Sequence, residues 1–227
     1  MWHCRVRNGH GGTTGAGRDN GSVTTPSWDA AYAGRVSPAW DVGQPQPVFV
    51  RLAARGLLTG RVLDAGCGTG EQTLLAASFG ADALGVDVSP LALERARAKA
   101  AARGITARFD VADALGLADL GLSFDTITDS GLFHVFDDES RARYVTSLAS
   151  VLRPGGRLYL LCFSDRQPGA FGPRRVSQDE LRAAFRDGWT ILAIEAETFA
   201  LNPAVFGVAT AQAWLATVSR DTPAPRL

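Results

Sequence analysis

The chain has no excess of charge: 23 Lys and Arg balance 23 Asp and Glu among 227 residues. Nothing in that balance steers it toward nucleic acid or an anionic membrane, and neither is expected as a partner. No apolar run approaches the roughly 20 residues that a membrane-spanning helix needs, and the N-terminus shows no apolar signal core. A cytoplasmic protein is expected. Cysteine is scarce, with Cys4, Cys67 and Cys162 unevenly spaced, which argues against a disulfide scaffold and suits a reducing compartment. Histidine is equally scarce. His3 and His10 with Cys4 lack a fourth ligand, so no metal site is expected. His134 stands alone outside that segment.

What is present is ordinary for a globular domain: 46% hydrophobic and 20% charged residues. One domain is expected at this length. Residues 1–22 are rich in Gly and Thr and poor in apolar side chains, so an N-terminal extension without fixed structure is expected. It reads as an upstream extension from start-site choice, with the natural beginning near Val23; a native N-terminus at residue 1, found by mass spectrometry, would refute that. Residues 23–60 read as a lid with cap helices, 61–219 as the core and 220–227 as a tail.

Within the core, apolar strand patterns alternate with helical ones, as in a parallel sheet covered on both faces. The predicted strands are Val62–Ala65, Ala83–Asp87, Thr106–Val111, Ser123–Asp129, Leu158–Phe163, Trp189–Ala196 and Val205–Val218. Helices are expected over Pro45–Arg55, Gln72–Phe79, Pro90–Arg103, Glu139–Leu152 and Gln178–Phe185. Ser89 and Pro90 suit a helix start.

The most informative stretch is Asp64-Ala65-Gly66-Cys67-Gly68-Thr69-Gly70-Glu71, where a strand runs into glycine at alternate positions. Such a loop brings the backbone close to a ligand. Its G-x-G-x-G spacing differs from the G-x-G-x-x-G dinucleotide fingerprint, which disfavours a nicotinamide oxidoreductase. A second strand ends in Asp87, placed to accept from both hydroxyls of a ribose. Asp113 follows the third strand, Asp129 ends the fourth, and Leu152-Arg153-Pro154-Gly155-Gly156 leads into the fifth.

Together these motifs closely resemble the class I S-adenosylmethionine-dependent methyltransferases, over about Trp28 to Ser219. The resemblance implies a Rossmann-like α/β fold: a seven-stranded, mostly parallel sheet with helices on both faces and an antiparallel last strand. It implies S-adenosylmethionine as cofactor. Gly66, Gly68 and Gly70 would line its amino-acid end, Asp64 would shape the loop and engage the ammonium, and Asp87 would take the ribose. Asp113 and the Ala114 backbone would meet the adenine. Capping the next helix is the plainer role for either acid. Cys67 and Cys162 are expected simply to pack.

Two regions should shape the acceptor side. Trp28, Tyr32 and Trp40 precede the first core strand and suggest a lid, with Trp40 touching the cofactor. The run Trp40-Asp41-Val42-Gly43-Gln44-Pro45-Gln46-Pro47 is loosely similar to the lid of the thiol, thiopurine and halide methyltransferase branch. The second region, Asp129-Ser130-Gly131-Leu132-Phe133-His134, lacks the two prolines of DNA adenine methyltransferases. His134 is the candidate base, with Asp129 as a second catalytic candidate that would also touch the cofactor; bonding to nearby backbone is the alternative for the imidazole. Phe133 and Phe171 are candidate acceptor contacts. Arg174 and Arg175 read as a solvated loop or an anion contact. The expectation is methylation of a small hydrophobic or aromatic molecule by a monomer or homodimer. Thiol sulfur is the first choice, with phenolic or heteroaromatic O or N as the alternative. The rival from outside enzymology is a non-catalytic cofactor-binding protein.

Overall fold

The structure is a computed structural model that describes residues 25–34, 38, 40–169 and 172–222. The 1–22 segment, with its His3, Cys4 and His10, and Phe171 lie outside the described residues. Two helices precede the sheet, α1 (Thr25–Tyr32) and α2 (Pro47–Ala54). The core then runs β1 (Arg61–Ala65), α3 (Glu71–Ser78), β2 (Asp82–Asp87), α4 (Pro90–Arg103), β3 (Arg108–Val111), β4 (Phe124–Ser130) and α5 (Asp138–Val151). It closes with β5 (Leu152–Phe163), α6 (Gln178–Ala184), β6 (Trp189–Ala200), α7 (Pro203–Phe206) and β7 (Thr210–Arg220).

The seven strands form one sheet in the order β3-β2-β1-β4-β5-β7-β6. β1 to β5 are parallel, and β7 inserts antiparallel between β5 and β6. After β3 the chain returns to the far side of β1, so the order reverses between β1 and β4. In open α/β sheets ligands settle at the carboxyl ends of strands beside such a reversal. Both faces are covered. Along β5, Leu158, Leu160 and Cys162 join the core under α5 and α6, whereas Tyr159, Leu161 and Phe163 join the core under α2. That is the period of two expected of a strand.

Local signals explain most boundaries. Ser89 caps α4 by accepting from the Ala92 amide, and Gly104 ends it in the left-handed conformation. Two expectations need correcting. The Leu152–Gly156 turn is a bulge inside β5: Leu152 pairs with Phe124 and Arg157 with Thr126, so one residue, Asp125, faces four. Val205 is not in a strand. Asn202 caps, Pro203 opens and Gly207 ends the short helix α7, which delays β7 to Thr210.

Candidate active site

The glycine loop lies at the predicted reversal point. Gly66 and Gly68 have φ of +68° and +52°, a region that glycine alone enters at little cost. A Cβ on Gly66 would stand 2.9 Å from a Leu132 methyl, and one on Gly68 would stand 2.8 Å from the Tyr32 hydroxyl. A side chain at either position would have to displace its neighbour as well as hold a strained backbone angle. Gly70 caps α3 in the same left-handed region and packs on Phe109 and Ala96.

Carboxylates shape this loop from beneath. Asp64 is buried and accepts from the Thr73 amide (3.0 Å), the Thr73 hydroxyl (2.7 Å) and the Thr128 hydroxyl (3.1 Å). Burial outweighs these donors and pushes its pKa up to about 6. Asp87 accepts from the Gly68 amide at 2.8 Å with one oxygen and from the Ser89 amide at 2.9 Å with the other. Burial raises its pKa against those two bonds. Asp113 caps the 3₁₀ turn Ala114–Leu120 by accepting from the Leu115 amide, and Ala114 is buried beside it.

Sequence reasoning missed the ion network around Glu71. Although burial works against ionisation, Arg103 and Lys99 hold the Glu71 carboxyl below its usual value. Arg103 binds it through two nitrogens (2.8 and 2.9 Å), and Lys99 reaches both Glu71 (2.8 Å) and the Thr69 hydroxyl (2.6 Å). Lys99 also lies 3.8 Å from Asp41. The loop, α4 and the segment before α2 are thereby joined.

That segment lies over the loop. Trp40 donates from Nε1 to the Tyr32 hydroxyl (3.0 Å), and Trp28 packs edge-on against Trp40 without bordering the cleft. Burial pushes the Tyr32 phenol up. Asp29 accepts from Ser89, and Arg95 binds the carbonyls of Tyr32 and Gly34. Gln46 donates to and accepts from the Ala200 main chain (3.0 and 2.7 Å), fastening the segment to β6. Between them lies a cleft of about 70 Å³ bordered by Tyr32, Trp40, Asp41, Gly66, Gly68 and Glu71, with Ser130 and Phe199 on the far side. Phe199 comes from β6, with no local sequence signal to announce it.

The turn after β4 departs from expectation. Asp129 does not face the cleft: it is wholly buried and accepts from the amides of Leu132 (2.7 Å) and Phe133 (3.1 Å) and from the Tyr144 hydroxyl (3.0 Å). Burial pushes its pKa up to about 7 against these donors. His134 is not placed as a base. Its Nδ1 accepts from the Phe163 amide at 3.0 Å, which puts the neutral ring's proton on Nε2 and makes that nitrogen a donor. Burial, with Arg141 and Arg175 nearby, drives its pKa down to about 3. Phe133 points into the core, stacked on Phe185 and under the Arg141 guanidinium, out of an acceptor's reach. Arg174 pairs with Asp138 and Glu180, and Arg175 binds the carbonyls of Gln167, Pro173 and Gly169. Among the described residues no cluster could hold a metal ion, and no helix is long and apolar enough to cross a membrane.

The cradle fits S-adenosylmethionine. Two glycines leave backbone uncovered by any Cβ, and Asp87 stands at the end of β2, braced against Gly68. Sites for ligands of this size occupy roughly 300 Å³ or more. A cleft of about 70 Å³ is smaller than that, so its walls have to give to admit the cofactor.

Comparison with known proteins agrees with this geometry. Residues 62–156 match the family model described as "Methyltransferase domain". The chain is 40% identical over 157 residues to "2-heptyl-1-hydroxyquinolin-4(1H)-one methyltransferase" of Mycobacteroides abscessus, covering 68% of this chain and 69% of that protein. It is 30% identical to "Probable thiol methyltransferase 2" of Arabidopsis thaliana, over 67% of this chain and 68% of the relative. A solved structure described as "Conversion of a Disulfide Bond into a Thioacetal Group during Echinomycin Biosynthesis" superimposes with a TM-score of 0.80 at 38% identity, over 88% of this chain and 94% of that one. With its sheet order, its glycine cradle and these relatives, the chain belongs to the class I S-adenosylmethionine-dependent methyltransferases.

Proposed function

We propose that the protein methylates a small, apolar, aromatic acceptor at an atom that sheds its proton without help: a thiol, or an acidic hydroxyl on a heteroaromatic ring. One observation carries this reading. Of the two catalytic candidates, His134, the expected base, offers an N–H to its surroundings, and Asp129 spends both oxygens on internal donors. A thiol of pKa about 8.5 needs roughly 2 kcal/mol to ionise at neutral pH, whereas a phenol near 10 needs about 4. Without a base, the former reacts and the latter lags.

S-adenosylmethionine, when bound, supplies a methyl group on a sulfonium that is open to in-line displacement. The chain's own part is placement, which accounts for up to roughly 7–11 kcal/mol of a barrier. Gly66 and Gly68 admit the cofactor's backbone approach, Asp87 is set to accept from the ribose, and Asp113 with Ala114 is set at the adenine side. Asp64 holds the loop through Thr73, and any contact with the ammonium would use the remaining lone pairs. Phe199 and Trp40 present aromatic surface to the acceptor, and Trp28 backs Trp40. Residues 23–60 then act as the lid of a core spanning 61–219. Zero net charge supports a small-molecule rather than a nucleic-acid acceptor, and the few, unevenly spaced cysteines support a reducing, cytoplasmic setting.

The relatives support the same chemistry, since one is named for a hydroxylated heteroaromatic ring and one for thiols. The test is transfer of labelled methyl to an aryl thiol, a 1-hydroxyquinolin-4-one and a simple phenol at pH 7. Product from either of the first two, with the phenol at least tenfold slower, is expected. Equal rates on all three would refute the reading.

A further inference from the structure

We propose that Tyr144 and Asp129 act together as positioning residues that hold the Ser130–His134 turn on the acceptor side of the cleft. The inference rests on the functional reading above only in calling that side the acceptor's. Tyr144 lies on α5, wholly buried, and its hydroxyl donates to Asp129 at 3.0 Å. With its remaining capacity Asp129 accepts from two successive amides, those of Leu132 and Phe133.

That turn is where the two halves of the site meet. Ser130 borders the cleft. Gly131, at φ +88°, donates its amide to the Leu161 carbonyl and lies so close to Phe199 and His134 that a Cβ would stand 3.0 Å and 3.2 Å from them. Leu132 covers Gly66, and His134 accepts from the Phe163 amide. A shift of the turn therefore moves the Ser130 and Phe199 wall, while Asp87 goes on holding the glycine loop through the Gly68 amide. Neutral Asp129 would turn one acceptor oxygen into a donor, which Tyr144 could meet only by reversing its own hydroxyl, so the ionised form is the one that matches all three donors. The titratable groups facing it are Asp64 from β1, Tyr144 from α5 and Cys162 from β5. Among these partners, Tyr144 donates a hydrogen bond to it.

The variants are Tyr144→Phe, which keeps the ring packed on Phe136, and Asp129→Asn. The expected result for Tyr144→Phe is faster hydrogen exchange at the Leu132 and Phe133 amides. Its kcat should be about tenfold lower with whichever acceptor the wild type uses, a loss typical of one bond to a charged group. S-adenosylhomocysteine affinity should stay within about twofold. The acid limb of kcat should rise by about one pH unit in Tyr144→Phe, because loss of one donor of that strength raises a carboxyl by about that amount. It should vanish in Asp129→Asn. A limb that stays in place in both variants belongs to the acceptor and overturns the proposal. So does a parallel fall of kcat, cofactor affinity and melting temperature, which would mark a purely structural pair. If the wild type turns over neither an aryl thiol nor a 1-hydroxyquinolin-4-one, the functional reading fails by itself. Exchange then decides here: unchanged protection of Leu132 and Phe133 in Tyr144→Phe overturns the inference.

Discussion

Replacing Asp64 by asparagine tests how the glycine loop is held. The carboxylate is buried with three donors, and burial still raises its pKa from 3.8 to about 6. The side-chain amide has the right shape to take its place. Its oxygen can accept from the Thr73 amide and hydroxyl, and its nitrogen can donate to Thr128, whose hydroxyl both gives and accepts. The shift is about two units, or about 3 kcal/mol at 1.36 per unit. Its sign follows from linkage: the folded state binds the proton more tightly than the unfolded one. The contribution therefore favours folding below pH 4 and is lost as pH rises through about 6. Roughly half of the total falls between pH 5 and pH 8. Asp64→Asn lacks this dependence. Urea unfolding of both proteins at pH 5 and pH 8 should show the variant gaining on the order of 1 kcal/mol on the wild type toward alkaline pH. Most titrations shared by the two proteins, such as those of surface carboxylates, cancel in that difference. A difference that is flat with pH would refute the assignment of a charge buried at a cost. Cofactor affinity, measured alongside, reports whether the carboxylate also engages the ammonium: a loss above tenfold would say so.

Asp87→Ala should weaken cofactor binding by roughly 1.5–3 kcal/mol, the range for bonds to a charged group, and titration calorimetry finding unchanged affinity would remove the ribose role. His134→Ala should slow thiol and hydroxyl acceptors alike, because the ring braces Phe163 rather than taking a proton; a selective loss on phenols would restore the base. Gly68→Ala should cost both stability and cofactor affinity, since its Cβ would meet the Tyr32 hydroxyl at a backbone angle that alanine avoids; native-like affinity would mean that Tyr32 yields freely. Deleting residues 1–22 should leave turnover intact in the labelled-methyl assay.

The glycine loop and the identity of the cofactor were legible because their signals are local. Glycine at alternate positions, an acid at the end of the second strand and Ser-Pro before a helix act on the backbone beside them, and chain order sets β1 and β2 side by side in the sheet. Strand and helix periods placed the core for the same reason. The acceptor half depends on contacts between residues far apart in the chain. Asp129 could be read as catalytic until α5 brought Tyr144 to it, and His134 as a base until β5 presented the Phe163 amide. Phe133 was read as a substrate contact because an aromatic after β4 falls near the methyl position, yet the turn that Asp129 fixes rotates it into the core. Phe199 and Gln46 gained their places through β6, whose position at the sheet edge follows from the insertion of β7. Sequence alone determined the fold and the cofactor because both rest on short-range backbone geometry. Which polar groups remain free to react was decided by tertiary packing, because a side chain's chemistry depends on the partners that packing supplies.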